Sequence, residues 1–287
     1  MEVIDYDMNC LNPVIIPNPL YKDFDKELLI NMEFGYITVP CGHCVNCRKE
    51  HAKEWKIRLL HESQYHEFFQ FVTLTYDDDH LVSPSLVKSD LQKFFKRLRK
   101  NTGSKFKYFA CGEYGPKTFR PHYHFIIFAF FPVEVYQSCW PLGFVKVGNK
   151  MSDKSLSYVS GYVDKKVCER PKDYIKKGLV PPFLLSSQGL GLQWCLDNSK
   201  LLLEQGYIRY NGFPCPIPRY YRKKLGIYNN IDYFIQYQKK LDLDMSSKGY
   251  DPSVPNDKVK YFEKVYYSAL QTAINHKAKL LLTKEVL

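Results

Sequence analysis

The stretch RPHYHFIIFAF, residues 120–130, places two histidines on either side of a tyrosine and then continues as an apolar run. Because side chains alternate between the two faces of a strand, His122 and His124 leave the same face. If the preceding stretch ACGEYG forms a hairpin with this one, Glu113 lies opposite the two histidines on that face. Two imidazoles and a carboxylate can hold catalytic zinc, or Mg²⁺ or Mn²⁺ with positions open for water and substrate. The alternative is two unrelated strand histidines beside an edge-strand charge.

The segment SLSYVSGYVDKKV contains a candidate nucleophile, because Tyr158 and Tyr162 are four residues apart. On a helix this spacing brings both hydroxyls to one face, about 6 Å apart, so that both can reach one metal. A tyrosine hydroxyl titrates at about 10, and cationic neighbours such as Lys165 and Lys166 favour the phenolate that attacks phosphorus. Tyr-x3-Tyr spacing also arises by chance in a chain with 23 tyrosines, so two packed aromatic side chains are the alternative.

The stretch CGHCVNC, residues 41–47, has the spacing C-x2-C-x2-C. Three thiolates at this spacing favour a soft ion, and we interpret them as a structural Zn²⁺ site in preference to an iron–sulfur cluster or buried free thiols. The cysteines are Cys41, Cys44 and Cys47. The candidates for a fourth ligand are His51, one helical turn after the last cysteine, and, as alternatives, Cys10 and His43.

Basic and aromatic residues are interleaved in IPRYYRKK, residues 217–224. Cations that bind phosphate and rings that stack on bases are typical of a channel for single-stranded nucleic acid, and a solvated charge run is the competing interpretation. The DNA contacts predicted from this stretch are Arg219, Tyr220, Tyr221, Arg222 and Lys223. Thr73 and Thr75 share one face of the strand FVTLTY and could contact a sugar or phosphate, although a purely structural strand is the commoner case. Arg120, just before the histidines, is a further predicted DNA contact.

Composition restricts the class of protein. With 287 residues, 45% of them hydrophobic and 25% charged, the chain can form one large globular domain with a smaller appendage. A net charge of +11 favours a polyanionic partner such as nucleic acid. We expect no membrane span and no signal peptide, because no apolar window is long enough and the start MEVIDYDMNC is acidic. Nine cysteines, an odd number, favour a reducing compartment.

Helices and strands are predicted in mixed order. Helices are expected over residues 45–66, 88–103, 154–167 and 192–206, with Ser89 and Gln92 forming a capping box at the second and Gly103 ending it. Strands are expected over residues 68–76, 105–115, 121–130 and 143–149. Residues 168–191 are predicted to be mainly loop, and residues 211–226 a Pro-rich extended stretch. The pattern indicates an α+β domain to about residue 225, followed by a helical appendage.

In this order, the segments resemble the replication initiator proteins of small single-stranded DNA phages of the microvirus (gokushovirus) group. Those proteins belong to the HUH endonuclease superfamily of rolling-circle initiators, relaxases and related transposases. The resemblance covers roughly residues 40–225. It is carried by CGHCVNCRKEHAKEW, FVTLTY, ACGEYG with RPHYHFIIF, YVSGYVDKK and IPRYYRKKL.

The resemblance implies a ferredoxin- or RRM-like antiparallel sheet with flanking helices. His122 and His124 match the histidine motif on a central strand, and Glu113 matches the third metal ligand. Tyr158 and Tyr162 match the nucleophiles of two-tyrosine initiators, on a flanking helix. The expected domains are an N-terminal segment with the cysteine cluster and first helix (1–66), the HUH core with the basic loop (67–225) and a C-terminal helical region (226–287).

The implied activity is a Mg²⁺- or Mn²⁺-dependent, site-specific nick in a single-stranded DNA origin, through a 5′-phosphotyrosine intermediate. Strand transfer would then start and end rolling-circle replication in the cytoplasm of the bacterial host cell. A host DNA polymerase and, because the chain lacks G-x-x-x-x-G-K-[ST], a host helicase are the expected partners. A non-catalytic RRM-like nucleic-acid-binding module and a zinc-dependent hydrolase are the alternatives.

Two positions depart from the family pattern. The middle residue of the histidine motif is Tyr123, aromatic instead of aliphatic, and its alternation away from the histidines is expected to make the change harmless. Several two-tyrosine relatives carry a lysine directly before the second tyrosine, where this chain has Gly161. The cationic role is therefore expected to pass to Lys165 or Lys166.

Overall fold

The computed structural model describes residues 10–12, 14–17, 36–115, 118–148, 171–227, 242–254, 256–257, 260–261 and 264. Two compact units make up the chain. The sheet unit is His51–Asn198, and the terminal unit combines Met1–Glu50 with Ser199–Leu287. The helix predicted over residues 154–167 lies outside the described residues, as does most of the predicted C-terminal helical region.

Regular structure follows a mixed order along the chain. The helices are α1 Val45–Ser63, α2 Lys88–Thr102, α3 Val133–Cys139, α4 Pro171–Lys176, α5 Leu192–Asp197, α6 Ser199–Gln205 and α7 Arg219–Lys224. The strands are β1 Val14–Pro17, β2 Tyr36–Val39, β3 Gln70–Tyr76, β4 Tyr108–Tyr114, β5 Pro121–Ile127, β6 Gly143–Val147, β7 Phe183–Ser186, β8 Tyr207–Tyr210 and β9 Phe213–Pro216. Within these described ranges, no helix has the length and hydropathy needed to cross a membrane.

A five-stranded sheet lies at the centre of the sheet unit, in the order β6-β3-β5-β4-β7. Each neighbouring pair is antiparallel. The central strand is β5, which carries both histidines, and its hairpin with β4 pairs Glu113 with His122. The predicted α+β class, with an antiparallel sheet and flanking helices, is confirmed.

One face of the sheet forms the main hydrophobic core. Tyr123, Phe125 and Ile127 alternate onto this face and are fully buried. Helix α2 covers them with apolar residues at the 3–4 residue spacing of an amphipathic helix. These residues are Leu91, Phe94, Phe95 and Leu98. Burial of this stripe, at about 1.5–3 kcal/mol for each large apolar side chain, fixes α2 against the sheet.

The opposite face is apolar at one end and polar at the other. At the apolar end, Phe109, Cys111 and Ile126 pack with Ala52 and Leu59 of α1. Further along the same two strands, the residues that alternate onto this face are polar: Glu113, His122 and His124. The period of two in β4 and β5 therefore places the three candidate ligands on the face opposite the main core.

The start of α2 differs from the prediction. Ser89 lies inside the helix, the N-cap residue is Val87, and no side chain of the cap residue makes a hydrogen bond there. Instead, the hydroxyl of Tyr123 accepts a hydrogen bond from the Val87 N–H and donates to the Val87 carbonyl, both at 3.0 Å. A tertiary contact has replaced the predicted local capping box. The other end is as predicted, because Gly103 ends the helix with a positive φ of 66°.

The prediction that residues 168–191 are mainly loop is wrong for part of this range. It contains the short helix α4 and strand β7, which pairs with β4 at the edge of the sheet. Two prolines, at positions 181 and 182, directly precede β7. An edge strand needs a partner on one side only, so prolines just before it are tolerated.

Two further predictions are corrected in detail. The single helix expected over residues 192–206 is divided into α5 and α6. Residues 211–226 are not simply extended: β8 and β9 form a hairpin, and the basic segment after it forms the helix α7. Pro218 provides the N-cap of α7, a position next to the first helical turn where proline's missing N–H is tolerated.

Candidate functional site

Two imidazoles and one carboxylate converge on the polar end of the sheet face. Oε1 of Glu113 lies 3.2 Å from Nε2 of His122 and 3.1 Å from Nε2 of His124. The side chains are 17%, 16% and 10% exposed, respectively. The hairpin register predicted from the sequence is therefore confirmed, and it brings together the three side chains expected to bind a cation.

Both histidine rings are oriented by their second nitrogen. Nδ1 of His122 donates to the carbonyl oxygen of Arg120 at 3.0 Å. Nδ1 of His124 lies 2.9 Å from the hydroxyl of Thr73, and the ring stacks on Phe71 at a centroid distance of 5.5 Å. Hydrogen bonds of this kind fix ring orientation in metal sites, and here they leave both Nε2 atoms directed at Glu113.

The contact between His122 and Glu113 needs an added positive charge. A neutral imidazole carries one N–H, and that of His122 is used on the Arg120 carbonyl. If the ring is neutral, its Nε2 and the carboxylate oxygen of Glu113 are two acceptors that face each other at 3.2 Å. Such a contact is favourable only with an added positive charge, either a second proton on the ring or a cation bound to both atoms.

The carboxylate is ionised at neutral pH. Burial raises the pKa of Glu113, but hydrogen bonds and charge from His122 and His124 outweigh it and lower the pKa to about 2. An ionised oxygen and two imidazole nitrogens form a mixed donor set that suits Mn²⁺, Mg²⁺ or Zn²⁺, and three ligands leave coordination positions open. The residues present therefore fit the divalent cation that the family resemblance implies.

Thr73 and Thr75, predicted as DNA contacts, lie on β3 directly opposite the histidines. Thr73 pairs with His124 and Thr75 pairs with His122. The Thr73 hydroxyl contacts a ring nitrogen, so it orients a candidate ligand, a role that the sequence analysis missed. Their common face was visible in FVTLTY, but only the register between β3 and β5 reveals which threonine contacts which histidine.

Arg120, also predicted to contact DNA, stabilises the turn before β5. Its guanidinium donates to the Tyr76 carbonyl oxygen at 3.2 Å and forms an ion pair with Asp78. Its own carbonyl accepts the hydrogen bond from His122. The contact with DNA stays a prediction, whereas the support that Arg120 gives to His122 is visible in the structure.

The basic segment of the terminal unit is only partly available to a ligand. Arg219 and Lys223 are exposed, and Tyr220 and Arg222 are partly buried. Tyr221 is fully buried, so its ring offers no face to a base. The prediction that Tyr221 stacks on DNA is therefore wrong, because its side chain lies on the buried face of the helix α7.

The predicted catalytic residues beyond the metal ligands lie outside the described residues. They are Tyr158, Tyr162, Lys165 and Lys166. Their roles remain predictions from the sequence.

The cysteine cluster has a different fourth member from the one first expected. The sulfur atoms of Cys41, Cys44 and Cys47 gather with that of Cys10, all within 4.8 Å of one another. Nε2 of His51 instead accepts a hydrogen bond from the indole N–H of Trp55 at 3.1 Å. The first candidate for the fourth ligand is therefore corrected to Cys10, which the sequence analysis had given as an alternative.

Comparisons with known proteins agree on one family. A family model for replication-associated proteins of the ORF2 type matches residues 69–167. The chain is 34% identical to Replication-associated protein VP4 of Bdellovibrio phage phiMH2K, over 82% of each chain. It is 29% identical to Replication-associated protein ORF2 of Spiroplasma virus 4, over 76% of this chain and 75% of the relative. It is 30% identical to Replication-associated protein ORF4 of Chlamydia phage 1, over 65% of this chain and 53% of the relative.

No solved structure matches the chain. The identity and coverage shared with the Bdellovibrio phage protein are high enough to define membership. The chain therefore belongs to the family of phage replication-associated proteins, the microvirus-type group that its motifs indicated.

Proposed function

We propose that the chain is a divalent-cation-dependent endonuclease that nicks a single-stranded or extruded DNA origin and rejoins the strands. In this role it initiates and terminates rolling-circle replication of a circular single-stranded phage genome. The observation that carries the proposal is the convergence of Glu113, His122 and His124 on one face of the sheet. Membership of a family of phage replication-associated proteins supports the biological setting.

The metal ligands act through the phosphate. Glu113, His122 and His124 would hold Mg²⁺ or Mn²⁺, which when bound neutralises charge on a non-bridging oxygen of the scissile phosphate. Thr73 and the carbonyl of Arg120 keep the two Nε2 atoms aimed at the cation. Because both rings are held before any ligand arrives, little reorganisation is needed when DNA binds.

A tyrosine supplies the nucleophile. The hydroxyl of Tyr158 or Tyr162 loses its proton to solvent and its oxygen bonds to phosphorus. The bond from phosphorus to the 3′ oxygen breaks, and that oxygen takes up a proton from solvent. The products are a 5′-phosphotyrosine and a free 3′-hydroxyl, and Lys165 or Lys166 favours the phenolate by its charge. The phosphodiester energy is kept in the new link, so rejoining needs no nucleotide cofactor. The second tyrosine can then cleave the regenerated origin after one round of synthesis by a host polymerase and helicase.

A simple nucleic-acid-binding module on the same sheet is less well supported. Stacking platforms for bases need rings with an open face. The ring of His124 is covered by Phe71, and both histidine side chains are largely buried. A buried pair of imidazoles beside an ionised carboxylate fits cation binding better than base stacking.

The experiment is an adduct assay. End-labelled single-stranded oligonucleotides covering the phage origin are incubated with the full chain and Mn²⁺, and adducts are read as a denaturation-resistant shift. We expect an adduct from the wild type and none from the double variant Tyr158→Phe with Tyr162→Phe, whose DNA binding should remain salt-sensitive. The matched control is Tyr233→Phe with Tyr237→Phe, which has the same four-residue spacing and should leave the adduct unchanged.

Each other outcome has a definite meaning. Cleavage without an adduct would indicate a hydrolase that activates water. Binding without cleavage would indicate a non-catalytic module. An adduct that persists in the Tyr158 and Tyr162 double variant would show that the nucleophile is assigned to the wrong residues.

A further inference from the structure

We infer that Cys10, Cys41, Cys44 and Cys47 bind one structural Zn²⁺ ion through four thiolates. This site is separate from the residues proposed for nicking and does not depend on that proposal. It would tie the start of the described chain to the segment that begins α1.

The sulfur positions match a tetrahedral ion. Sγ of Cys41 lies 3.9 Å from Sγ of Cys47, and Sγ of Cys44 lies 4.0 Å from Sγ of Cys10. Zinc–thiolate bonds of about 2.3 Å place tetrahedral sulfurs about 3.8 Å apart. All four cysteines are free, and their separations are about twice the roughly 2.05 Å of a disulfide. Sulfurs bound to the separate irons of a cluster would lie further apart than the ligands of a single ion.

Backbone amides are directed at the sulfurs. The N–H of Cys41 donates to Cys10 at 3.1 Å, and the N–H groups of His43 and Cys44 donate to Cys41 at 3.4 and 3.3 Å. The N–H of Leu11 donates to Cys44 at 3.4 Å. Hydrogen bonds from amides stabilise thiolates, so the backbone here is arranged for negatively charged sulfur.

Helix α1 adds to this stabilisation. Cys44 directly precedes the helix and Cys47 lies in its first turn. The positive end of the helix dipole favours anionic groups at these positions.

The strand pairing explains why Cys10 completes the group. Strands β1 and β2 pair antiparallel, with Val14 opposite Val39. Continuing this register past the ends of both strands places residue 12 opposite Cys41, so Cys10 arrives beside the C-x2-C-x2-C stretch although it is 31 residues away. A zinc ion at this point would close the open end of the two-stranded sheet, and part of the binding free energy would stabilise that fold.

The experiment measures metal in the full chain. Protein purified without chelator is analysed for zinc and iron by mass spectrometry, with Cys10→Ser as the test variant and His51→Ala and His43→Ala as matched controls. We expect one zinc per chain in the wild type and in both histidine variants, and at least a tenfold lower zinc occupancy after dialysis in Cys10→Ser. Loss of zinc in His51→Ala with retention in Cys10→Ser would overturn the assignment, as would a wild type that holds iron or no metal.

A second measurement covers the case in which Cys10→Ser does not fold. The wild type is loaded with Co²⁺ in place of zinc, and its visible absorption is recorded. Four sulfur ligands are expected to give d–d bands at longer wavelength than three sulfurs and one nitrogen. Alkylation mapped by mass spectrometry should show Cys10 protected together with Cys41, Cys44 and Cys47, and all four released by chelator. A three-sulfur spectrum, or a Cys10 that reacts independently of chelator, would refute the site.

Discussion

The hydroxyl of Thr73 lies 2.9 Å from Nδ1 of His124, across the pair of strands β3 and β5. This contact holds the ring with Nε2 directed at Glu113. Partners of this kind change metal affinity by roughly 10- to 100-fold when removed. We therefore expect Thr73→Val, which keeps the shape of the side chain, to weaken Mn²⁺ binding by about tenfold or more in isothermal titration calorimetry.

Thr75→Val is the matched control for this variant. Thr75 lies two residues away on the same strand and pairs with His122, and within the described part of the chain its hydroxyl makes no hydrogen bond to either imidazole. Its removal should change Mn²⁺ affinity by less than about threefold. If both variants lost the same Mn²⁺ affinity, the effect would come from a change in strand β3 and not from the hydrogen bond between Thr73 and the ring of His124.

Glu113→Gln separates the metal site from the fold. The variant removes the negative charge from a proposed ligand of the divalent cation. Its Mn²⁺ affinity should therefore fall by more than about 100-fold, the largest loss expected when a residue that only hydrogen-bonds a ligand is removed. The variant also loses the hydrogen bonds and charge interaction with His122 and His124 that lower the pKa of Glu113. Without metal, the melting temperature at pH 7 should therefore be equal to or lower than that of the wild type, because a lowered pKa means that the ionised carboxylate stabilises the fold. A metal-free variant that melts at a higher temperature than the metal-free wild type would contradict the interaction of ionised Glu113 with the histidines. A variant whose melting temperature rises on addition of Mn²⁺ as much as that of the wild type would contradict the role of Glu113 as a ligand.

Tyr123→Phe tests the fold without touching the metal face. The Tyr123 hydroxyl is buried, bonds Val87 at the start of α2 and lies 2.7 Å from the hydroxyl of Tyr76. Its removal leaves the Val87 N–H without its partner, at a cost of about 1–3 kcal/mol in the free energy of unfolding. Urea denaturation measures this loss, and Mn²⁺ affinity should stay within error of the wild type. An unchanged free energy of unfolding would mean that the Tyr123 hydroxyl does not stabilise the start of α2.

Glu62→Gln tests a buried charge with a defined pH dependence. Glu62 binds Lys107 at 2.8 Å and the Gly191 N–H at 2.7 Å, and its side chain is 2% exposed. Burial raises the pKa of Glu62, but hydrogen bonds from Lys107, His66 and Gly191 outweigh it and leave the pKa below its ordinary value of 4.5. We expect the variant to lose about 2 kcal/mol of stability at pH 7, less than the roughly 3–5 kcal/mol of a fully buried pair, because Lys107 keeps 35% exposure.

The sign of the pH effect follows from the lowered pKa. The stabilisation by ionised Glu62 is complete above the unfolded-state pKa of about 4.5 and disappears as the pH falls through the lower folded-state pKa. Chemical denaturation between pH 7 and pH 3 should therefore show the wild type and Glu62→Gln converging at the acid end. A stability difference that grows on acidification would be inconsistent with the contacts of Glu62.

The convergence of Glu113, His122 and His124 was predictable because it depends on local rules. The period of two in a strand places His122 and His124 on one face, and a short turn then fixes Glu113 opposite them. The contact of Thr73 with His124 was not predictable, because β3 and β5 are joined by long connections whose register leaves no local pattern. The edge strand β7 was missed for a similar reason, since its pairing with β4 is decided by the sheet and not by its own sequence.

The cysteine cluster also combines members that the local sequence spacing identifies with one member that only the strand pairing brings close. Spacing alone identified Cys41, Cys44 and Cys47 as a group. His51 was preferred as the fourth member because it is near in sequence, whereas the pairing of β1 with β2 brings Cys10 from far away. The buried ring of Tyr221 is a further case, because the inward face of a short helix follows from packing and not from its run of basic residues.

Both strands that carry the proposed metal ligands, β4 and β5, have a hydrogen-bonded neighbour on each side. Amide hydrogen exchange in these strands should therefore be as slow as that of global unfolding, with or without metal. Chelators would remove the cation and leave the ligand cage intact, so lost activity should return as soon as metal is restored. Inactivation by chelation at this site is thus expected to be a rapid and reversible event that involves no refolding.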